Sequence, residues 1–388
     1  MISIDVAWKS LNKQEEELCG DKVEVLHTDN SVVMILADGM GSGVKANILA
    51  TLTSKILKTM FREGASIELA VETIVKTLPI CRERQVAYST FSILQVYNDG
   101  NAYLVEFDNP SCILIRDKKI QNYPYKERIM EGKTIREYRF KAQVNDCFVL
   151  MSDGVVWAGT EEIMNYDWTW DDMAEFTLKC AGETRSAARM AALLSDTCNE
   201  LYGRHPKDDT TVGVMRIAER KMVNILTGPP KIKENDEIII EDFMQAKGVK
   251  VVSGGTTSEI VARVLDRPIT TNQDGTSTIP PTSNIEGVDL VVEGVITLSR
   301  VLVLMRQYAR GDLSVEFFFE LDAENGASKL ARLLIEDCTD IHLFVGTAIN
   351  NAYVDKELPF EFSMRRNLVV DLKRAAEVIG KKVIIEYY

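Results

Sequence analysis

The chain has 388 residues, enough for two domains of ordinary size, and 46% of them are hydrophobic. Its formal net charge of −13 at pH 7 argues against a nucleic-acid-binding protein and against an anionic membrane surface as partner, since both require a basic surface. The seven cysteines are scattered without a C-x-x-C pair, which is typical of reduced thiols rather than a disulfide framework or a zinc site. The sequence shows neither a signal peptide nor an apolar run long enough to span a membrane, so we expect a cytoplasmic protein.

The first part of the chain opens with a clear strand and helix. Residues 31–38 (SVVMILAD) form an apolar run that predicts a buried strand, and residues 44–61 predict a helix. Apolar side chains recur along this helix at three- and four-residue spacing. This spacing predicts a helix, and the residues that show it are Ile48, Leu49, Leu52, Ile56 and Met60.

Shorter elements follow. Residues 88–123 contain β-rich runs, and the turn sequences Asn98-Asp99-Gly100 and Asp108-Asn109-Pro110 predict antiparallel hairpins. A buried strand is predicted at 146–154, and a helix at 184–203 with Thr184 as N-cap and Gly203 just after its end. A last strand is predicted at 210–217. Because strands and helices occur in blocks, we predict an α+β layered domain.

A change of composition divides the chain near residues 218–232. A strand-like run ends there and gives way to polar residues and the sequence Gly228-Pro229-Pro230. We therefore predict two domains, at 1–220 and 221–388.

Four aspartates of the first domain stand at strand ends or in tight turns: Asp21, Asp38, Asp153 and Asp208. Convergent carboxylates repel one another unless a cation lies between them, and Mg²⁺ and Mn²⁺ prefer such oxygen ligands. Two such ions can activate a water molecule and hold a phosphoryl oxygen. A single Asp-Gly pair is more often an ordinary turn, whereas the string DGMGSG at 38–43 is far more specific.

Four motifs resemble, in order, those of the metal-dependent protein phosphatase 2C superfamily, and most closely its bacterial branch typified by stage II sporulation protein E. They are GD at 20–21, DGMGSGVKA at 38–46, SDGV at 152–155 and KDDTTV at 207–212. The resemblance covers about residues 1–217. It implies an α-β-β-α sandwich with two Mn²⁺ or Mg²⁺ ions in a cleft between the sheets. It also implies hydrolysis of phosphoserine and phosphothreonine on a protein partner, such as an anti-anti-sigma-like regulator.

The resemblance also implies roles for individual residues. Asp38 would bridge the two metals, and the carbonyl of Gly39 would bind one of them. Asp21, Asp153 and Asp208 would complete the metal site, and Asp38 and Asp153 would be the catalytic residues.

Asp209 and Lys45 lie close to these residues in the sequence. Asp209 is the residue most easily confused with Asp208. The arginine that holds phosphate in eukaryotic members has no evident counterpart; Lys45 is a candidate substitute, although a solvated lysine in the first turn of a helix is the commoner reading.

The second domain alternates strand-like and helix-like runs, which predicts a smaller α/β layered domain with a largely parallel sheet. The sequence SGGTTS at 253–258 lies where a strand leads into a helix. Such a loop presents backbone N–H groups to an anion, so we expect a small anionic effector to bind at Gly254, Gly255, Thr256 and Thr257. A tight strand–helix turn without a ligand is an equally good interpretation.

Three functions remain open from sequence. The first is a serine/threonine protein phosphatase with an appended ligand-sensing domain. The second is a phosphatase of a small phosphorylated metabolite. The third is a catalytically weak signalling scaffold, against which the complete set of acidic positions argues. The sequence does not separate the first two functions.

Overall fold

The computed structural model describes residues 2–77, 89–130, 133–159, 168–311, 313–348 and 360–388. The chain divides into two compact units, Met1–Glu219 and Arg220–Tyr388. In those ranges no helix combines the length and the apolar character that crossing a bilayer requires. Cys81 lies outside the described residues, and the other six cysteines are free thiols.

The strands of the first unit, unit 1, are β1 (Ile2–Leu11), β2 (Asp21–His27), β3 (Ser31–Gly39), β4 (Ser89–Tyr97), β5 (Asn101–Phe107), β6 (Ile113–Arg116), β7 (Lys119–Gln121), β8 (Lys126–Met130), β9 (Lys133–Lys141), β10 (Cys147–Met151) and β11 (Thr210–Glu219). Its helices are α1 (Gly43–Arg62), α2 (Ile67–Thr77), α3 (Asp153–Val156), α4 (Trp170–Glu183) and α5 (Ala187–Leu201).

Two antiparallel sheets pack face to face in unit 1. One has the order β1-β11-β10-β6-β7, and the other has the order β2-β3-β4-β5-β9-β8. Successive side chains of a strand point to opposite faces, so Met34 and Leu36 of β3 enter the core between the sheets. Val33 and Ile35 of the same strand face the helices instead. Because β3 is buried on both faces, its sequence is a continuous apolar run.

Helices cover both outer faces of the sandwich. Helices α1 and α2 pack on the sheet that contains β3, in a cluster with Val33 and Ile35. Helices α3, α4 and α5 pack on the sheet that contains β10, in a cluster with Val149 and Met151. The predicted α-β-β-α sandwich is therefore confirmed.

The helix predicted at 44–61 is confirmed as α1, and the residues that showed its spacing differ in exposure: Ile56 and Met60 pack against the core, whereas Ile48 and Leu52 do not. Ile48 is 58% exposed and Leu52 is 51% exposed, whereas the buried residues are Gly43, Ala46, Ala50, Thr53, Ser54, Leu57 and Phe61. The N-terminal half of the helix lies too close to the sheet for large side chains, because a Cβ on Gly39 of β3 would stand 2.0 Å from the carbonyl oxygen of Ala46. Both sets of residues have helical spacing, so periodicity alone did not distinguish them.

Two local predictions need correction. The hairpin at Asn98–Gly100 is confirmed, but residues 108–110 connect β5 to β6, which belong to different sheets. Thr184 ends α4, and the N-cap of α5 is Ser186, whose hydroxyl accepts a hydrogen bond from the N–H of Arg189. Gly203 follows the C-cap of α5 with φ of 61°, as predicted.

The strands of the second unit, unit 2, are β12 (Met222–Thr227), β13 (Val249–Ser253), β14 (Thr270–Thr271), β15 (Ser283–Asn284), β16 (Leu290–Val292), β17 (Asp340–Val345) and β18 (Lys382–Tyr387). Its helices are α6 (Asp236–Gln245), α7 (Gly255–Leu265), α8 (Val295–Ala309), α9 (Val315–Leu321), α10 (Gly326–Arg332) and α11 (Phe360–Val378).

The sheet of unit 2 has the order β14-β15-β16-β13-β12-β17-β18, and its five strands from β16 to β18 are parallel. Helices separate these strands in sequence, so the predicted α/β layered fold is confirmed. Strand β12 is the middle one of the five parallel strands, although its sequence falls inside the segment 218–232 that the composition marked as the domain boundary. The chain order reverses beside β12, which is where doubly wound sheets usually bind ligands.

The packing of α1 generates a stability prediction. Leu57 is fully buried, so Leu57→Ala should lower the free energy of unfolding by about 2–5 kcal/mol. Ile48→Ala removes a similar side chain from the exposed face and should change it by no more than about 0.5 kcal/mol. Urea denaturation of the two variants beside the wild type measures both values, and equal losses would contradict the observed orientation of α1.

Candidate metal centre and active site

Antiparallel pairing brings the first two predicted aspartates together. Asp21 begins β2, Asp38 lies next to the last residue of β3, and the register places them directly opposite each other. Side chains that are directly opposite in a sheet project from the same face. Both carboxylates therefore leave the same end of the same sheet.

The other sheet contributes the second pair. Asp153 begins α3 two residues after β10 ends, and Asp208 lies two residues before β11 begins. Strands β10 and β11 are neighbours, and the N–H of Ser152 donates to the carbonyl of Thr211 across them at 3.1 Å. The two aspartates are thus held at one end of this sheet.

The electrostatics show that the two pairs meet. Burial raises the pKa of Asp38 well above its ordinary value, and the charges of Asp21, Asp153, Asp208 and Asp209 raise it further. Charges raise the pKa of a carboxyl group in this way when the groups lie near one another. The four aspartates predicted from sequence, together with Asp209, therefore form one acidic cluster.

Sequence reasoning missed a further carboxylate of this cluster. The pKa of Asp153 is raised by burial and, among charges, by that of Asp108. Asp108 follows β5 with φ of 57°, in the segment that crosses between the sheets. Its sequence, Asp-Asn-Pro, is an ordinary turn signal and gave no indication of the site.

The most buried carboxylate oxygens of the cluster have no hydrogen-bond donor. Asp21 is 3% exposed, and neither of its carboxylate oxygens has a hydrogen-bond partner. Asp209 is 4% exposed, and its Oδ2 has no hydrogen-bond partner. Burial raises the pKa of Asp21 to about 7, and the nearby hydroxyls of Ser152 and Thr211 only partly oppose this shift. Buried carboxylates without donors are costly unless a cation compensates them, so this donor set suits a hard divalent cation.

The carboxylates of the cluster do not by themselves have the arrangement of a metal site. Over the described ranges, no group of three or more His, Cys, Asp or Glu side chains has the arrangement of a metal site.

Close backbone contacts explain the glycines of the motifs. A Cβ on Gly154 would lie 2.2 Å from the carbonyl oxygen of Asp209, and one on Gly20 would lie 2.6 Å from Oδ2 of Asp209. Gly39 meets the carbonyl of Ala46 in the same way, at 2.0 Å. Real Cβ atoms essentially never come within 3.0 Å of such atoms, so these positions have room only for glycine. The glycines therefore hold the segments that carry the aspartates at close range.

The β1–β2 loop, residues 12–20, connects both sides of the cluster. The N–H of Gln14 donates to the carbonyl of Pro206 at 2.7 Å, beside Asp208. On the other side, the hydroxyl of Ser42 donates to Oε1 of Glu16 at 3.1 Å, and Nδ2 of Asn47 donates to the carbonyl of Cys19 at 2.7 Å. These contacts lie between residues far apart in sequence and were not predicted. Lys45 is exposed in the first turn of α1.

In unit 2, the loop predicted to bind an anion lies at the N-terminus of α7. Gly254, with φ of 119°, is the N-cap of α7, and its N–H donates to the carbonyl of Val292. Thr257 is buried, and its hydroxyl accepts from the N–H of Gly228 at 3.0 Å, so it fixes the loop that follows β12. Gly255 and Thr256 are exposed.

A cavity of about 500 Å³ lies beside Thr256 in unit 2. Its lining includes three cationic residues, Lys231, Lys233 and Arg263, and two acidic residues, Asp236 and Glu259. All three cationic residues are exposed, and Arg263 forms an ion pair with Asp236.

Comparison with known proteins agrees with the geometry. The two packed sheets and the acidic cluster of unit 1 agree with what the resemblance to protein phosphatase 2C implies. Residues 28–218 match the family model for stage II sporulation protein E (SpoIIE), so the domain is of the SpoIIE type.

Two curated relatives carry the name stage II sporulation protein E. The protein from Bacillus subtilis (strain 168) is 27% identical over 186 residues, which is 47% of this chain and 22% of the relative. The protein from Priestia megaterium is 24% identical over 204 residues, which is 51% of this chain and 34% of the relative. The matched region thus spans between about a fifth and a third of the length of these relatives.

Two solved structures each align with 56% of this chain. The phosphatase domain of SpoIIE from B. subtilis aligns with a TM-score of 0.44 and 18% identity, over 56% of this chain and 93% of that chain. RsbX in complex with magnesium aligns with a TM-score of 0.40 and 19% identity, over 56% of this chain and 100% of that chain.

The raised pKa of Asp21 predicts how stability depends on pH without metal. Between about pH 4 and 7 the folded protein binds more protons at Asp21 than the unfolded chain does, so stability should fall as the pH rises through this range. In EDTA, the melting temperature should therefore fall between pH 5 and pH 7.5. Asp21→Asn should fall less, because its side chain does not ionise. Thermal melts of both proteins at the two pH values test this, and equal falls would contradict it.

Proposed function

We propose that unit 1 is a divalent-metal-dependent phosphatase that hydrolyses phosphoserine or phosphothreonine on a protein partner. The observation that carries the proposal is the acidic cluster inside a SpoIIE-type domain, in which neither oxygen of the buried Asp21 carboxylate has a donor. An isolated cluster of this kind would destabilise the fold without contributing to it, and cation binding would offset that cost.

Five groups would hold the metals: the carboxylates of Asp21, Asp38, Asp153 and Asp208 and the carbonyl of Gly39. Two bound Mn²⁺ or Mg²⁺ ions supply a water of lowered pKa and neutralise charge on the phosphoryl oxygens. Ligand carboxylates must be ionised, so Asp21 and Asp38 would release protons as the site is filled. The charges of four other aspartates, Asp21, Asp153, Asp208 and Asp209, act on Asp38, which fits the bridging role that the resemblance implies.

The partner we propose is a phosphorylated regulatory protein of the anti-anti-sigma type, in keeping with the SpoIIE-type domain. The alternative is a small phosphorylated metabolite. A panel of phosphopeptides assayed beside a panel of phosphorylated metabolites separates the two. A preference for the metabolites would contradict the protein-phosphatase proposal while leaving the metal chemistry in place.

Metal removal is the first test of the chemistry. Hydrolysis of p-nitrophenyl phosphate by the full chain should be lost in excess EDTA and should return when Mn²⁺ is added beyond the chelator. Mg²⁺ is assayed in parallel to identify the better ion. Turnover of equal size in EDTA and in Mn²⁺ would contradict the two-metal proposal.

Asp38→Asn tests the bridging role. The substitution keeps the shape of the side chain and removes its charge, so kcat should fall by roughly a hundredfold or more. The fold should survive, and the metal-free variant should melt no lower than wild type because a repulsive charge is lost. Asp29→Asn, in the exposed turn after β2, removes the same charge away from the cluster and serves as the control. An Asp38→Asn variant with kcat within a factor of two of wild type would exclude the bridge.

For unit 2 we propose a regulatory role, in which a small anionic effector binds at Gly255 and Thr256 and changes the phosphatase rate. Support comes from the adjoining cavity, to which Lys231 and Lys233 contribute positive charge in a chain of net charge −13. The first turn of α7 adds backbone N–H groups at the same place.

Gly255→Asp tests this role in the full chain. A Cβ at Gly255 meets no atom within 4 Å, so the variant should fold, while its carboxylate should repel an anion. Nucleotides and phosphorylated metabolites are screened by thermal shift, and hits are assayed for a several-fold change in phosphatase rate, the usual size of such coupling. Hits that bind Gly255→Asp as tightly as wild type would place the effector site elsewhere.

A further inference from the structure

Asp209 differs from its neighbour Asp208 in burial and in contacts. Asp209 is 4% exposed, whereas Asp208 is only half-buried. Oδ1 of Asp209 accepts a hydrogen bond from the N–H of Lys13 at 3.1 Å. Oδ2 has no donor and lies against the backbone of Gly20. Asp209 is therefore joined to the β1–β2 loop, at the start of that loop and at its end.

The contacts of Asp209 reach the chain beside each proposed metal ligand. Gly20, which packs against its carboxylate, precedes Asp21. Gly154, which packs against its carbonyl oxygen, follows Asp153. The carbonyl of Gly20 in turn accepts from the N–H of Gly39 at 3.1 Å, and Gly39 follows Asp38. Since Asp208 is its direct neighbour in sequence, one residue is linked to the backbone beside all four aspartates.

We propose that Asp209 is a positioning residue that aims the four ligand aspartates and does not itself bind metal. The inference rests on the proposed function. Oδ1 of Asp209 accepts from the N–H of Lys13 and Oδ2 lies against Gly20, so both oxygens contact the β1–β2 loop. The role needs an acceptor of the right shape at Oδ1 and small volume at Oδ2. An asparagine side chain keeps the acceptor and nearly the same shape, whereas alanine has no acceptor and leaves the space of the carboxylate empty.

The test measures Mn²⁺ binding to the full chain by titration calorimetry, independently of turnover. Substitutions of residues that orient ligands commonly reduce metal affinity 10- to 100-fold, so Asp209→Ala should weaken Mn²⁺ binding by about tenfold or more. Asp209→Asn should stay within about threefold of wild type, because its amide oxygen still accepts from Lys13. Asp208→Asn, which removes a proposed ligand, should weaken binding more than Asp209→Asn does. Asp29→Asn is the control for loss of one negative charge.

Each outcome bears on a different claim. If Asp209→Asn weakens Mn²⁺ binding as much as Asp208→Asn, Asp209 is a ligand and the positioning role is excluded. If Asp209→Ala only lowers the melting temperature of the metal-free protein and leaves Mn²⁺ affinity unchanged, its role is structural and the inference is again wrong. If the wild type itself binds no Mn²⁺, the proposed metal-dependent function is wrong, and this result is distinct from a failure of the inference about Asp209.

Discussion

The repulsion among buried carboxylates is the constraint on which the arrangement of unit 1 depends. Asp21 and Asp38 leave one sheet, Asp153 and Asp208 leave the other, and each would be more stable in water than beside the rest. Only a rigid scaffold can hold such groups together. The two packed sheets supply that rigidity, because each aspartate lies within two residues of a strand or helix that is buried in a core. The stability of the cores offsets an electrostatic cost that is confined to one end of the sandwich.

The same constraint explains why glycine accompanies the aspartates. Bringing four charged segments to one place requires their backbones to approach closely, and Gly20, Gly39 and Gly154 all stand where a Cβ would collide with a neighbouring segment. The β1–β2 loop closes the arrangement by hydrogen bonds to both sides. The site is therefore assembled mainly from backbone contacts, and the carboxylates are the groups that these contacts orient.

Local patterns were sufficient to predict most elements and the four aspartates. The apolar run at 31–38 could only be a buried strand, and the aspartates were found because each stands at the end of such an element. The errors have a common cause, which is that close approach between distant segments leaves no local signal. It hid the buried face of α1, whose Ala46 packs against Gly39, and the crossing of residues 108–110 between sheets. Strand β12 follows the predicted boundary at residue 220, although Gly228-Pro229-Pro230, which helped to indicate that boundary, comes after the strand.

The glycine contacts limit which substitutions this site can tolerate. A substitution at Gly20, Gly39 or Gly154 would push apart the backbone segments that carry the aspartates. Loss of an aspartate would instead remove a charge from the cluster. Tolerance to substitution would therefore be low at both kinds of position, and a mutational scan scored by activity would not distinguish chemistry from packing. The metal-free protein would distinguish them, since crowding by a new Cβ destabilises the fold, whereas removing a charge from the cluster relieves repulsion.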